Sequence, residues 1–197
     1  MNIVNVGYDS TNYYVIGAGN NRLLVDVGWP GTLGKLLANL KRKGIATGEI
    51  KYLLATHYHP DHAGLVQEVK NSFKSVRLIV VEGQRDFIGG LKQWMKPEMH
   101  YVDIDLRDST SVTLAESRAF LAKLGLAGEI IATPGHSDDS VTLILDSGDA
   151  FTGDLQGVSR ADELEVEAVT ASWEKIRAKG AKMIHPGHGP SRPVPAA

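Results

Sequence analysis

A chain of 197 residues, 43% hydrophobic and 22% charged, has the composition of an ordinary globular domain and can bury a core without disulfide staples. Its formal net charge of −2 argues against a nucleic-acid surface, and with no cysteine it holds neither a disulfide nor a thiolate metal site. No stretch approaches 18 apolar residues, and the start, "MNIVNVGYDSTNYY", lacks a basic segment followed by an apolar run, so a cytoplasmic protein without membrane or nucleic-acid partners is expected.

The predicted elements alternate. "NYYVIG" and "RLLVDVG" are β-branched and apolar, and "AGNN" between them is turn chemistry, which predicts an N-terminal hairpin. Leu33, Leu36, Leu37 and Leu40 recur at helical spacing up to Gly44, with "KRKG" as the solvated helix end. "YLLAT" predicts a buried strand, "GLVQEVKNSF" a helix beginning near Ala63, and "VRLIVVE" another strand. "ESRAFLAKLGL" is amphipathic, a helix or an edge-crossing segment. "GEIIATPG", "VTLILDS" and "DAFTGD" predict strands, "LEVEAVTASWEKIRAKG" a helix closed by Gly180, and "KMIHPG" a last strand. The pattern is α/β: one domain over residues 1–190 with a loose proline-rich tail, 191–197.

The stretch "THYHPDHAGLV" concentrates chemistry. Three of the seven histidines and an aspartate, His57, His59, Asp61 and His62, fall within six positions at the end of a predicted strand. Open α/β sheets place ligands at that end. Alternate residues of extended backbone point the same way, so His57 and His59 can share an ion, and Asp61 and His62 can offer a second pair. Imidazole and carboxylate suit zinc, and also iron or manganese. A lone histidine is usually surface or satisfied core, and a local cluster cannot complete a site alone. More candidates follow at later strand ends: His136 in "PGHS", Asp154 in "TGD" and His188 in "PGHG", each beside glycine.

In this order the residues resemble the metallo-β-lactamase-fold hydrolase superfamily. Its His-x-His-x-Asp-His pattern appears as "HYHPDH", and "NYYVIGAGNNRLLVDVG" looks like its opening hairpin with an Asp-x-Gly loop at Asp26 to Gly28. The resemblance implies a four-layer αβ/βα sandwich and two divalent metal ions, zinc first, with iron or manganese as alternatives. It implies one metal on His57, His59 and His136, the other on Asp61, His62 and His188, with Asp154 reaching both. His185, three residues before His188, reads as structural, and His100 receives no role. Asp26 is expected either to support a ligand histidine from below or simply to stabilise its turn.

This ligand set implies hydrolysis. Two dications about 3.5–4 Å apart can hold a bridging hydroxide, with Asp61 orienting it or passing a proton and Asp154 between the ions. No side-chain nucleophile is apparent: there is no Gly-x-Ser-x-Gly elbow. Flavodiiron-type relatives carry a carboxylate where His59 stands. Cleavage of a small-molecule ester, lactone or thioester is the first expectation. A β-lactamase or phosphodiester hydrolase is the alternative, and a mono-iron, persulfide-dioxygenase-like enzyme is the non-hydrolase alternative. "GQRDFIGGLKQWMKPEMHYV", with Phe87, Trp94 and Met95, reads as an apolar lid, a homodimer contact or plain packing, and Trp29 as a second pocket wall. An apolar lid would favour an acyl or lactone substrate over a highly charged one.

Overall fold

The structure, a computed structural model, describes residues 2–196. Its first sheet takes strands β1 (Ile3–Asn5), β2 (Tyr14–Ala18), β3 (Asn21–Val25), β4 (Ile50–Leu54), β5 (Arg77–Val81) and β6 (Thr110–Val112) in chain order. β1 to β3 are antiparallel neighbours, and β3 to β6 run parallel. The second sheet is ordered β11 (Arg192–Pro193), β10 (Met183–Pro186), β9 (Asp149–Gly153), β8 (Val141–Leu145), β7 (Gly128–Ala132). Only β9 and β10 are parallel there.

Period-two alternation explains the layers. Tyr14, Ile16, Leu23 and Val25 face the second sheet and meet Val141, Leu143, Leu145 and Phe151 in an inter-sheet core. Their neighbours Val15 and Leu24 point the other way, toward helices α1 (Leu33–Arg42) and α3 (Val66–Ser72). On the far side Ile144, Ala150 and Ile184 pack against Val169, Trp173 and Ile176 of helix α6 (Val166–Ala178). Leu121 and Leu124 of α5 (Ser117–Leu124) close an edge of the inter-sheet core. The result is helix, sheet, sheet, helix, the expected four-layer sandwich.

Several details differ from the sequence expectation. The helix after the histidine cluster begins at Pro60, not Ala63, so Asp61 and His62 lie on a one-turn helix, α2 (Pro60–Ala63). Proline at the first helical position explains that start, since its missing N–H would be unpaired there anyway. A bend at Gly64 then separates α2 from α3. Strand β6 was not expected, and Leu37 is exposed while Leu36 and Leu40 are buried. Residues 85–99 form α4 (Arg85–Ile88) and two 3₁₀ turns, Gly89–Trp94 and Pro97–Met99. The proline-rich end is tied down where β11 pairs with β10 and the Val194 N–H donates to Lys182 O at 3.0 Å. Among the described residues, no helix is long and apolar enough to cross a membrane.

Candidate metal centre

Five strand ends converge on one edge of the sandwich. Pairing of Val25 with Leu54 brings Asp26, just after β3, beside Thr56, just after β4. In the other sheet Pro186 pairs with Gly153, which sets the turn bearing His188 against Asp154. His136 comes from the loop after β7. Two glycines make this approach feasible. A Cβ at Gly187 would collide with Asp154 Oδ1 and stand 2.5 Å from His62 Cε1, and Gly153, at φ +52°, would collide with the Thr56 hydroxyl.

The seven candidate side chains form two groups, His57, His59 and His136, then Asp61, His62, Asp154 and His188. Within each group one donor atom per residue lies within 4.8 Å of all the others. In the first, His59 Nδ1 and His136 Nε2 face each other at 3.0 Å. The buried His57 contacts Thr56 Oγ1 through Nδ1 at 3.1 Å and leaves Nε2 without a hydrogen bond. In the second, His62 Nδ1–H donates to Asp26 Oδ2 at 2.9 Å and His188 Nδ1–H to Ser10 O at 2.7 Å. Both Nε2 atoms therefore turn inward. His62 Nε2 stands 3.2 Å from Asp154 Oδ1 and His188 Nε2 3.3 Å from Asp154 Oδ2, while that same Oδ2 is 3.7 Å from His136 Nε2. Asp154 thus touches both groups. Asp61 Oδ2 lies 3.2 Å from His188 Nε2 and accepts from Thr11 Oγ1 at 3.2 Å.

Protonation follows from the surroundings. Burial, then the neighbouring imidazoles, holds His57 well below the ordinary histidine range, and burial with His136 lowers His59. Burial also acts to lower His62, but the Asp26 and Asp154 carboxylates outweigh it and raise this group to about 10. Burial pushes Asp154 up, but His62, His188 and His136 outweigh it and leave the carboxyl below its usual range. Neutral imidazoles and an ionised carboxylate are the forms that bind a cation, and a proton on His62 occupies the position that a metal would take.

The fit to metal rests on three buried atoms of the two groups: His57 Nε2 has no hydrogen-bond partner, and His62 Nε2 and Asp154 Oδ1 make no hydrogen bond to the rest of the protein and face each other at 3.2 Å. A buried polar atom without a hydrogen bond costs about 1–3 kcal/mol, and imidazole nitrogens and a carboxylate oxygen converging this way are donors that fit a divalent cation.

Asp26 supports His62 as expected, but the other supporting residues escaped the sequence reading. Asp26 also accepts from Thr56 N at 2.7 Å and Thr56 Oγ1 at 2.8 Å, so it fixes both the end of β4 and His62. Asp139 accepts from Tyr58 N at 2.7 Å, and Gln84 donates to Ala55 O and Asp139 O at 3.1 Å, tying the His57 loop to the His136 loop. The acidic pair after His136 in "HSDD" was the one available signal; nothing local marks Thr11 or Gln84. His185 stands apart. It bonds Asp149 Oδ1 at 2.8 Å and Ser191 Oγ at 2.9 Å and stacks on Phe151.

Of the four expected pocket residues, Trp94 reaches the centre, with its ring centroid 5.4 Å from that of His59 and 62% of its surface exposed. Met95 packs with Ile88 and Leu91 against the core, so part of the segment is packing. A cleft of about 810 Å³ is lined by His136, Asp154 and His188; Trp29, Phe87, Trp94 and Met95 do not line it.

The family model described as the metallo-beta-lactamase superfamily matches residues 6–188. The chain belongs to that superfamily. It is 30% identical over 183 residues to the beta-lactamase-like protein 2 homolog of Caenorhabditis elegans, covering 91% of this chain and 56% of that protein. It is 28% identical to an atrochrysone carboxyl ACP thioesterase of Aspergillus fumigatus, covering 91% and 50%. Both superfamily relatives are therefore about twice as long as the matched region. A metallo-beta-lactamase structure from Cronobacter sakazakii shares the fold at a TM-score of 0.73 and 17% identity, covering 95% of this chain and 70% of that one.

Proposed function

We propose that this chain is a metal-dependent hydrolase that holds two divalent ions, zinc first among them, and cleaves an ester, lactone or thioester bond in a small molecule. The observation carrying the proposal is the convergence of two groups of imidazole and carboxylate donors whose buried atoms His57 Nε2, His62 Nε2 and Asp154 Oδ1 make no hydrogen bond to the rest of the protein. Imidazole and carboxylate donors of this kind suit zinc, iron or manganese. Ions bound there supply Lewis acidity and activate water at neutral pH.

The chain's own side chains do the rest. Asp26, Ser10 and Thr56 hold the His62, His188 and His57 rings by their outward nitrogens, so the inward nitrogens of those three are already oriented. Asp154 offers an oxygen to each group, and Asp61 Oδ2, held by Thr11, is placed to accept a proton during turnover. Trp94 provides an apolar wall beside His59 for the acyl part of the substrate. The relative named as an ACP thioesterase supports thioester chemistry, and a second complete donor group supports hydrolysis over one-iron oxidation.

Asp154→Asn tests the reading. An amide lacks the negative charge that two dications require, so this variant should lose metal from both groups and lose turnover. Elemental analysis is paired with a hydrolysis panel of lactones, thioesters, β-lactams and phosphodiesters. Normal metal content in Asp154→Asn, or a two-zinc wild type that cleaves only β-lactams or phosphodiesters, would overturn the proposal.

A further inference from the structure

Three arginines share the cleft that opens beside Asp154 and His188. They come from separate elements: Arg160 ends the 3₁₀ turn Val158–Arg160, Arg177 lies on α6 and Arg192 on β11. Arg22, Arg107 and Arg118 each sit on a carboxylate, at 2.5, 2.6 and 2.9 Å. Among the described residues none of the three cleft arginines has such a partner, and Asp154 is the only carboxylate side chain lining the cleft. The chain as a whole carries a formal charge of −2, so this local excess of cations opposes the background. The cleft's volume, about 810 Å³, suits a small molecule.

Guanidinium groups bind carboxylate and phosphate through paired N–H donors, and gathered in a cleft they concentrate anions there. We propose that Arg160, Arg177 and Arg192 form an oxyanion-recognition site, so that the substrate is a thioester or ester with a carboxylate or phosphate on its alcohol or thiol side. This rests on the hydrolase reading and deepens it. The acyl part lies toward Trp94, beside His59, and the anionic part toward the arginines, in the cleft that His136, Asp154 and His188 line and Trp94 does not. The substrate is thus half apolar and half charged, which revises the sequence expectation that an apolar lid disfavours charge.

The test uses the zinc-loaded full chain and butanoyl thioesters of matched thiols: 3-mercaptopropionamide, 3-mercaptopropionate and a phosphate-bearing thiol. The wild type should favour an anionic thiol by about tenfold or more in kcat/KM, mainly through KM, and the preference should shrink in about 0.5 M salt. Comparing carboxylate with phosphate identifies which anion the site takes. The variant R160Q/R177Q/R192Q, with zinc content and circular dichroism retained, should bring the ratio to about one; if it does not fold, Arg177→Gln and Arg192→Gln should each lower it. A wild-type ratio near one, or a preference surviving in the variants, overturns the inference and leaves the hydrolase reading standing. If no thioester is cleaved, calorimetric titration with inorganic pyrophosphate decides. Binding about tenfold or more tighter to wild type than to the arginine variants supports the site, and equal affinity overturns it.

Discussion

Asp26→Asn isolates the support beneath the metal centre. The Asp26 carboxylate takes three donors, Thr56 N, Thr56 Oγ1 and His62 Nδ1, within 2.7–2.9 Å, and the residue is buried. Its backbone has φ +60°, a left-handed conformation that asparagine tolerates and alanine does not. The asparagine variant therefore keeps the turn and loses one acceptor oxygen, because one of its two terminal atoms is now a donor facing a donor. A stranded buried donor costs about 1–3 kcal/mol. At about 2–4 °C per kcal/mol for a chain of this size, Tm should fall by roughly 2–12 °C. Loss of the charge-assisted bond that orients His62 should also weaken metal binding at the Asp61, His62, Asp154 and His188 group by about 10–100-fold. Zinc affinity is measured by chelator competition and Tm by scanning calorimetry. Zinc affinity within twofold of wild type, with Tm lowered, would refute the argument, since Asp26 would then serve only the turn.

Three further outcomes are expected. His188→Ala should empty the second donor group, whereas His185→Ala should keep both metals and lower stability by about 1–3 kcal/mol through its lost bonds to Asp149 and Ser191; elemental analysis of the two proteins separates them, and metal loss in His185→Ala would reverse the assignment. Trp94→Ala should raise KM by roughly 2–10-fold with metal content and Tm unchanged, because the ring is largely exposed and truncation opens no cavity; an unchanged KM would remove Trp94 from the binding surface. The raised pKa of His62, about 10, means that its protonated form stabilises the metal-free fold fully below about pH 6.5, and that this contribution is lost as pH rises through about 10. Metal binding must displace that proton, so zinc affinity should rise with pH from 7 to 9, and calorimetry in buffers of different ionisation enthalpy should show net proton release at pH 7.5; no release would contradict it.

The chemistry was legible in the sequence because it is local. Four donors in six positions at a strand end, and later donors each beside a glycine, leave a pattern that periodicity and spacing expose. The hairpin, the helix at Leu33 and the alternating strands were visible for the same reason. Apart from Asp26, what supports the donors was not, because it is made of single polar residues that become neighbours only when the sheets pair. Gln84 meets Asp139 across 55 positions, and Thr11 meets Asp61 across 50. β6 was hidden because "TSV" carries too little apolar alternation to announce a strand. The arginine cleft was hidden because its cations lie 17 and 15 positions apart on three elements, so no short stretch of sequence gathers them.

Each donor group draws from both sheets: His57 and His59 from the first and His136 from the second, then Asp61 and His62 from the first and Asp154 and His188 from the second. Neither half of the chain carries a complete set. An ion bound there would therefore be a cross-link between the halves as well as the reagent proposed above, and its affinity would add to the stability of the folded chain by mass action. Two fragments divided in the loop between β6 and α5 would each be unable to build either site, and their reassociation should depend on the metal. The same coupling gives the fold a built-in check on cofactor supply. Without ions, that edge would be held by packing and by hydrogen bonds such as Tyr58 N to Asp139 and Val141 N to Thr56 O, and the inter-sheet seam is where amide hydrogens should then exchange first.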